Sequence, residues 1–318
     1  MQYIVLDMEW NQAWPGSSAS KLLEGRMRGE IIQIGAVRVT DRQIVGDEFQ
    51  ILIKPTFIRR LNKRVSALTG IKESQLREQG VVFPEAIQRF RDWCGEDCVF
   101  LTWGFDDITM LKENMTLHGL DSQWVDRWYN AQMIFNAQTD GGTAQKALKT
   151  AMEMAGVEAS RPAHDALGDA YHTAIVCSRL DLPRGMEEYG KAVESHENGF
   201  HGAELPGCLE RRVFHGYTDK ITAMQELTEK ENQCPVCGAS VDYGPWKSQQ
   251  GKRYVARARC PEHGDLFVRL RFAPEEMGMK AIRLIYEGDS DAAKSMEQQP
   301  AKTRVRKRSR RKKSVKTQ

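Results

Sequence analysis

No apolar run in the chain approaches the roughly 18 residues that a membrane span requires, and the mean hydropathy is −0.55. A membrane protein is therefore not expected. The first residues, Met-Gln-Tyr-Ile-Val-Leu-Asp, lack the basic region and long apolar stretch of a secretory signal, so the expected compartment is the cytoplasm. Cysteine is sparse and odd in number, seven in 318 residues. Without an export signal, that argues against a disulfide framework. Cys94 and Cys98 lie one helical turn apart and read as core thiols. No internal repeat is apparent, so a repeat array is not expected.

Acidic residues are missing from 302–316, where ten of fifteen residues are Lys or Arg. Without those ten, 36 basic residues face 43 acidic ones, so a body of −7 underlies the overall +3. Such a block is usually disordered, and either aids solubility or serves as an arm. Its almost pure Lys/Arg content favours a nucleic-acid arm.

What is present is 41% hydrophobic residues, enough for one large domain and a smaller one. YIVLD (3–7), EIIQIGAVRV (30–39) and IVGDEFQILIKP (44–55) read as strands. Residues 11–29 hold Pro, Gly and Ser and read as a loop. Around 66–79, a turn at Leu-Thr-Gly-Ile leads into a polar helix. Ile87, Phe90 and Trp93 or Cys94 have helical spacing within 85–95. CVFLTWG (98–104) reads as a buried strand, and 108–119, 143–156 and 166–180 as helices. Three strands followed by alternating helices and strands make an α/β domain on a mixed sheet. Residues 183–231 are charged and aperiodic, and read as a linker with some helix.

The chemistry sits in three places. Asp7 and Glu9 are two apart at the end of the first strand, so they share a face. Two such carboxylates repel unless a cation lies between them. Asp106 and Asp107 open a helix after a buried strand, where N-capping alone explains an acid. RPAHDALGDA (161–170) sets His164 five residues before Asp169; taken alone, it is a helix start. Together, acids from three separated elements suit hard divalent cations. Two such ions about 4 Å apart clamp a phosphodiester for in-line hydrolysis. An imidazole with an unperturbed pKa of roughly 6.5 suits deprotonation of the attacking water.

Asp7-Met8-Glu9, Trp103-Gly104-Phe105-Asp106-Asp107 and His164-Asp165-Ala166-Leu167-Gly168-Asp169-Ala170 resemble, in that order, the motifs of the DEDDh (DnaQ-like) 3′–5′ exonucleases. Glu30–Val37 looks like the family's second strand and Leu68-Thr69-Gly70-Ile71 like its substrate-side loop. The resemblance covers about residues 1–182 and looks closest to the bacterial KapD-like and small-RNA-trimming branch. It implies a ribonuclease H-like fold, with two Mg²⁺ or Mn²⁺ ions held by Asp7, Glu9, Asp107 and Asp169. His164 would be the base. Asp107 fits better than Asp106 because apolar helix residues follow it. Met8, Trp10, Leu68 and Thr69 would lie near the 3′-terminal nucleotide. Proofreading relatives often have His-Asn where this chain has Trp103-Gly104.

CPVCG (234–238) and CPEHG (260–264) are two knuckles. Coincidence, or a redox pair at Cys234 and Cys237, is the alternative; the spacing favours a tetrahedral Cys₃His zinc set of Cys234, Cys237, Cys260 and His263 with no open position, hence structural. The resemblance is to a zinc ribbon. Around it, GKRYVARARC and DLFVRLRF alternate like hairpin strands. Arg257 with Arg259, and Arg269 with Arg271, form either a solvated face or a nucleic-acid surface with Tyr254 or Trp246 for stacking.

The expectation is thus an α/β exonuclease domain (1–182), a linker with some helix (183–231), a zinc ribbon (232–285) and a disordered basic tail (286–318). The expected activity is release of 5′-mononucleotides from single-stranded nucleic acid, RNA favoured. Alternatives are a DNA-directed proofreading or repair exonuclease, and a non-catalytic nucleic-acid-binding regulator on the same fold.

Overall fold

The computed structural model describes residues 2–23, 26–40, 43–201, 204–249, 253–275 and 278–298. The basic run 302–316 lies outside them. The chain divides into two compact units, with the boundary between His196 and Glu197.

The first unit is built on six strands: β1 (Gln2–Asn11), β2 (Glu30–Thr40), β3 (Gln43–Lys54), β4 (Val81–Val82), β5 (Cys98–Thr102) and β6 (Trp128–Asn130). Their order in the sheet is β4-β3-β2-β1-β5-β6. β1 pairs antiparallel with β2 and parallel with β5, so the sheet is mixed. The helices are α1 (Ser18–Leu23), α2 (Lys63–Thr69), α3 (Glu73–Glu78), α4 (Phe83–Cys94), α5 (Asp106–Leu117), α6 (Ala131–Gln138), α7 (Leu148–Met154), α8 (Ala166–Cys177), α9 (Leu182–Glu187) and α10 (Tyr189–Asn198). α10 crosses the boundary between the units.

Both faces of the sheet are covered, which is why Tyr3, Ile4, Val5 and Leu6 are all apolar and all buried. Alternation sorts them. Ile4, Leu6 and Met8 join a core with Phe83, Ile87 and Phe90 of α4 and Ile108 and Leu111 of α5. Tyr3 and Val5 join the opposite core, with Ala170 and Ala174 of α8 and Ile134 and Phe135 of α6. α4 buries Phe83, Ala86, Ile87, Phe90 and Cys94, an i, i+3, i+4, i+7 stripe. Burying a phenylalanine such as Phe90 contributes about 1.5–3 kcal/mol.

The helix expected over 143–156 begins only at Leu148. The carbonyls before it are taken by side chains. The Trp103 indole and the Gln132 amide both donate to the Lys146 carbonyl, and Asn136 donates to that of Ala144. Within the expected loop 11–29, six residues form α1.

The second unit is an antiparallel sheet in the order β7-β12-β11-β10-β8, with β9 also pairing with β10. Its strands are β7 (Cys208–Tyr217), β8 (Asp242–Tyr243), β9 (Lys247–Gln249), β10 (Arg253–Cys260), β11 (Gly264–Glu275) and β12 (Gly278–Glu287), with helices α11 (Lys220–Glu229) and α12 (Asp291–Glu297). The sheet extends past 232–285, because its edge strand β7 comes from the stretch expected as linker. β7 was hard to see: Val213 and Tyr217 are its only buried residues, among polar ones. Helix α12 lies in the segment expected as tail.

Candidate active site

The period-two alternation of β1 continues past its apolar run. Asp7 and Glu9 therefore face α8, and Met8 faces α5. Met8 is 3% exposed and sits in the core. Its backbone, not its side chain, meets the site: the Met8 N–H donates to Asp107 Oδ1 at 3.0 Å. This bond fixes the first turn of α5 against β1. Asp107 is buried, whereas its neighbour Asp106 is exposed and pairs with Arg28 at 2.9 Å.

Helix α8 supplies the third element. Gly35 of β2 stands opposite Asp7 in the register. A β-carbon on Gly35 would lie 2.2 Å from the Ala166 carbonyl carbon and from the Leu167 nitrogen. Only glycine lets the helix start sit this close to the sheet. Gly168 makes the matching approach on the other side, where a β-carbon would come within 2.5 Å of the Pro162 carbonyl oxygen. Asp165 caps α8 by accepting from the Gly168 N–H at 3.1 Å. Gln33, buried and opposite Glu9, donates to Asp165 at 2.7 Å and accepts from the Ala166 N–H at 3.2 Å. The motif reading missed Gln33; its one signal was a polar residue in the otherwise apolar run IIQIGAV.

His164 is the one non-glycine with positive φ among the described residues, at 61°. Such a conformation costs on the order of 1–3 kcal/mol. It directs the His164 N–H onto Asp169 Oδ2 at 2.8 Å. One ligand atom each from Glu9, His164 and Asp169 lie within 4.8 Å of one another.

The electrostatics show how crowded these acids are. Burial, then Asp107, Asp169 and Glu9, push Asp7 well above the carboxylate range. Burial, Asp169 and Asp107 raise Glu9 to about 8. Burial raises Asp107 to about 7, against the lowering effect of the Met8 N–H. Asp169 is raised by burial, which outweighs the His164 amide and imidazole. No lysine or arginine is among the causes for any of the four. A site that gathers four carboxylates with imidazoles but no lysine or arginine to offset them fits cations from solution.

Beside the acids, a cleft of about 530 Å³ is lined by Gln33, Gln50, Thr69 and Asp165. Leu68 is 56% exposed, and the Thr69 hydroxyl donates to the Val65 carbonyl and accepts from the Ile71 N–H. Trp10 is half-buried and packs onto the hydrophobic core. Of the four residues expected at a nucleotide, Thr69 lines this cleft, whereas the Met8 side chain is buried in the core that Trp10 packs against.

In the second unit, Cys234, Cys237, Cys260 and His263 converge. Cys237 Sγ lies 3.6 Å from Cys260 Sγ, and His263 Nδ1 lies 3.8 Å from both Cys234 Sγ and Cys260 Sγ. Zinc–sulfur bonds of about 2.3 Å give a tetrahedron of edge about 3.8 Å, so the set fits that ion. The Gly238 N–H donates to the Cys234 carbonyl and closes the first knuckle. Neither expected stacking residue is free. Tyr254 packs edge-on against Phe272, while Trp246 stacks on Tyr243 and donates to Thr228.

The fold and the acidic cluster define a class, the nucleases that cut phosphodiesters with carboxylates on a ribonuclease H-like sheet. The profile of the RNase_T exonuclease family matches residues 4–177, and the chain belongs to that family. It is an exonuclease, a hydrolase that acts on nucleic acid. No curated protein matches the chain. Among solved structures, the nuclease domain of 3′hExo, a DEDDh family member bound to rAMP, is 21% identical. The match covers 58% of this chain and 94% of that one, with a TM-score of 0.50. A full-length 3′-exonuclease is 20% identical over 64% of this chain and 66% of that one, with a TM-score of 0.49. Exonuclease I of E. coli, in complex with a dA16 oligonucleotide, is 14% identical. That match covers 85% of this chain and 54% of that one, with a TM-score of 0.44.

Proposed function

We propose that the protein is a metal-dependent 3′–5′ exonuclease that degrades single-stranded nucleic acid to 5′-mononucleotides, with RNA the favoured substrate. The observation that carries this reading is the convergence of Asp7, Glu9, Asp107 and Asp169 from three elements, with His164 beside them and no lysine or arginine acting on them among the described residues. These carboxylates hold two Mg²⁺ or Mn²⁺ ions. When bound, such a pair would supply Lewis-acid activation of water and charge stabilisation of the leaving oxygen. An imidazole nitrogen of His164, beside Glu9 and Asp169, takes the proton of the attacking water.

Trp10, Leu68 and Thr69 border the 3′-terminal nucleotide, and Met8 contributes through its backbone. Cys234, Cys237, Cys260 and His263 hold one structural Zn²⁺ that keeps the second unit folded. All seven cysteines stand free of disulfides, in keeping with the cytoplasm. The preference for RNA rests on the likeness of the motifs to the small-RNA-trimming branch.

The test is 5′-labelled single-stranded RNA and DNA of one sequence, with Mg²⁺ or Mn²⁺, beside an Asp7→Ala control. The expected result is a ladder that shortens from the 3′ end, faster on RNA and absent in the control. Faster cleavage of DNA would replace RNA as the substrate. Binding without degradation would overturn the enzyme reading.

A further inference from the structure

The sheet of the second unit has two faces of different character, and α12 covers part of the second by packing on Val255, Phe267 and Tyr286. One carries Ala258, Cys260, Leu266, Val268, Leu270 and Phe272 into the cores around the knuckles and α11. On the other, Arg253 stands opposite Arg271, and Val255 opposite Arg269. The three arginines therefore share one face, together with Lys247 of β9, which pairs with Val255.

Like charges placed this way weaken a sheet unless something lies between them. Other arginines of this unit have carboxylates: Arg257 with Glu297, Arg283 with Glu210, Arg211 with Glu204 and Arg212 with Glu231. No carboxylate among the described residues pairs with Arg253, Arg269 or Arg271. Arg253 Nε is buried without a partner. Among the described residues, the one hydrogen-bond acceptor of Arg269 is the Met296 sulfur, 3.5 Å from Nη1. Burial, Arg253 and Arg271 all lower the pKa of Arg269.

A cavity of about 240 Å³ opens on the same face, lined among others by Val255 and Phe267, by Lys247, and by the Arg257–Glu297 ion pair. Apolar side chains with Lys247 at one edge, next to the three arginines, suit a base attached to a phosphate better than a purely acidic ligand. We propose that Arg253, Arg269 and Arg271 bind the phosphodiester backbone of single-stranded nucleic acid, with a base entering the adjoining cavity. The choice of occupant rests on the exonuclease reading; the unpaired arginines do not.

The experiment measures binding of a labelled single-stranded oligonucleotide to full-length protein carrying Asp7→Ala, with and without Arg253→Gln, Arg269→Gln and Arg271→Gln together. Affinity should fall at least tenfold. The slope of log affinity against log salt should shrink by about 2, the value for three phosphates on a single strand. A second variant with Lys at the three positions keeps the charge and should recover most of the slope; a matching melting temperature reports the fold. Unchanged affinity and slope in the Gln variant would overturn the site, as would a loss confined to anionic vesicles or polyglutamate. If protein with Asp7 intact binds but does not cleave, while the Gln variant still loses affinity, the site stands and the exonuclease reading falls.

Discussion

Gly35 lies directly beneath Ala166. A β-carbon at residue 35 would stand 2.2 Å from the Ala166 carbonyl carbon, and Gly35 is paired with Asp7. One missing side chain thus sets the distance between the strand that carries two acids and the helix that carries Asp169.

Gly35→Ala should push α8 off the sheet and spoil the site without touching any acid. Misplacement by about 1 Å costs on the order of 10²-fold in rate. The expected variant folds with a lower melting temperature and cleaves a labelled oligonucleotide at least that much more slowly. A rate equal to the parent's would show that the helix start has room to spare.

Stability should depend on pH in an unusual direction. Glu9 is raised from 4.5 to about 8 and Asp107 from 3.8 to about 7. Between these limits the folded state binds more protons than the unfolded one, so stability falls as pH rises. In EDTA the melting temperature should therefore drop from pH 5 to pH 8, and Mg²⁺ should restore much of the loss at pH 8. Asp107→Asn should raise the melting temperature at pH 8 in EDTA while abolishing cleavage. A flat pH profile would mean that the acids do not crowd one another in solution.

His164→Asn separates backbone from imidazole. Asparagine tolerates the left-handed conformation, and its N–H still serves Asp169. The variant should melt like the parent and bind Mn²⁺ with similar affinity. Its cleavage rate should fall on the order of 10²–10⁴-fold, the usual worth of a positioned base. Near-parental activity would remove His164 from the chemistry.

Metal analysis of purified protein should find one zinc per chain. Cys260→Ser should lose it and lower the affinity for an oligonucleotide, because the knuckles anchor the sheet that carries the basic face. Zinc-free protein with an intact second unit, judged by protease resistance, would contradict a structural ion.

Much of this was readable in the chain. The buried run Tyr3–Leu6, the α4 stripe and the hairpin of β10 and β11 follow from side-chain period alone, because burial on one or two faces leaves that pattern. The four acids and His164 were legible as ordered motifs. β7 was not, because an edge strand with two buried residues has little apolar alternation. Nor was the start of α7, where side chains far along the sequence take the carbonyls that a helix would use.

The sequence by itself determined which residue types stand at the site and which elements carry them, since strand and helix periods are local. It also determined that Met8 must point away from Asp7 and Glu9. Only the tertiary structure decided the rest. It joined the Met8 amide to Asp107 and Gln33 to the start of α8. It left Asp106 to Arg28, and it set Arg253 against Arg271 with no acid between them. These relationships join residues far apart in the chain, and their energies depend on burial and on neighbouring charge, which exist only once the sheet has formed.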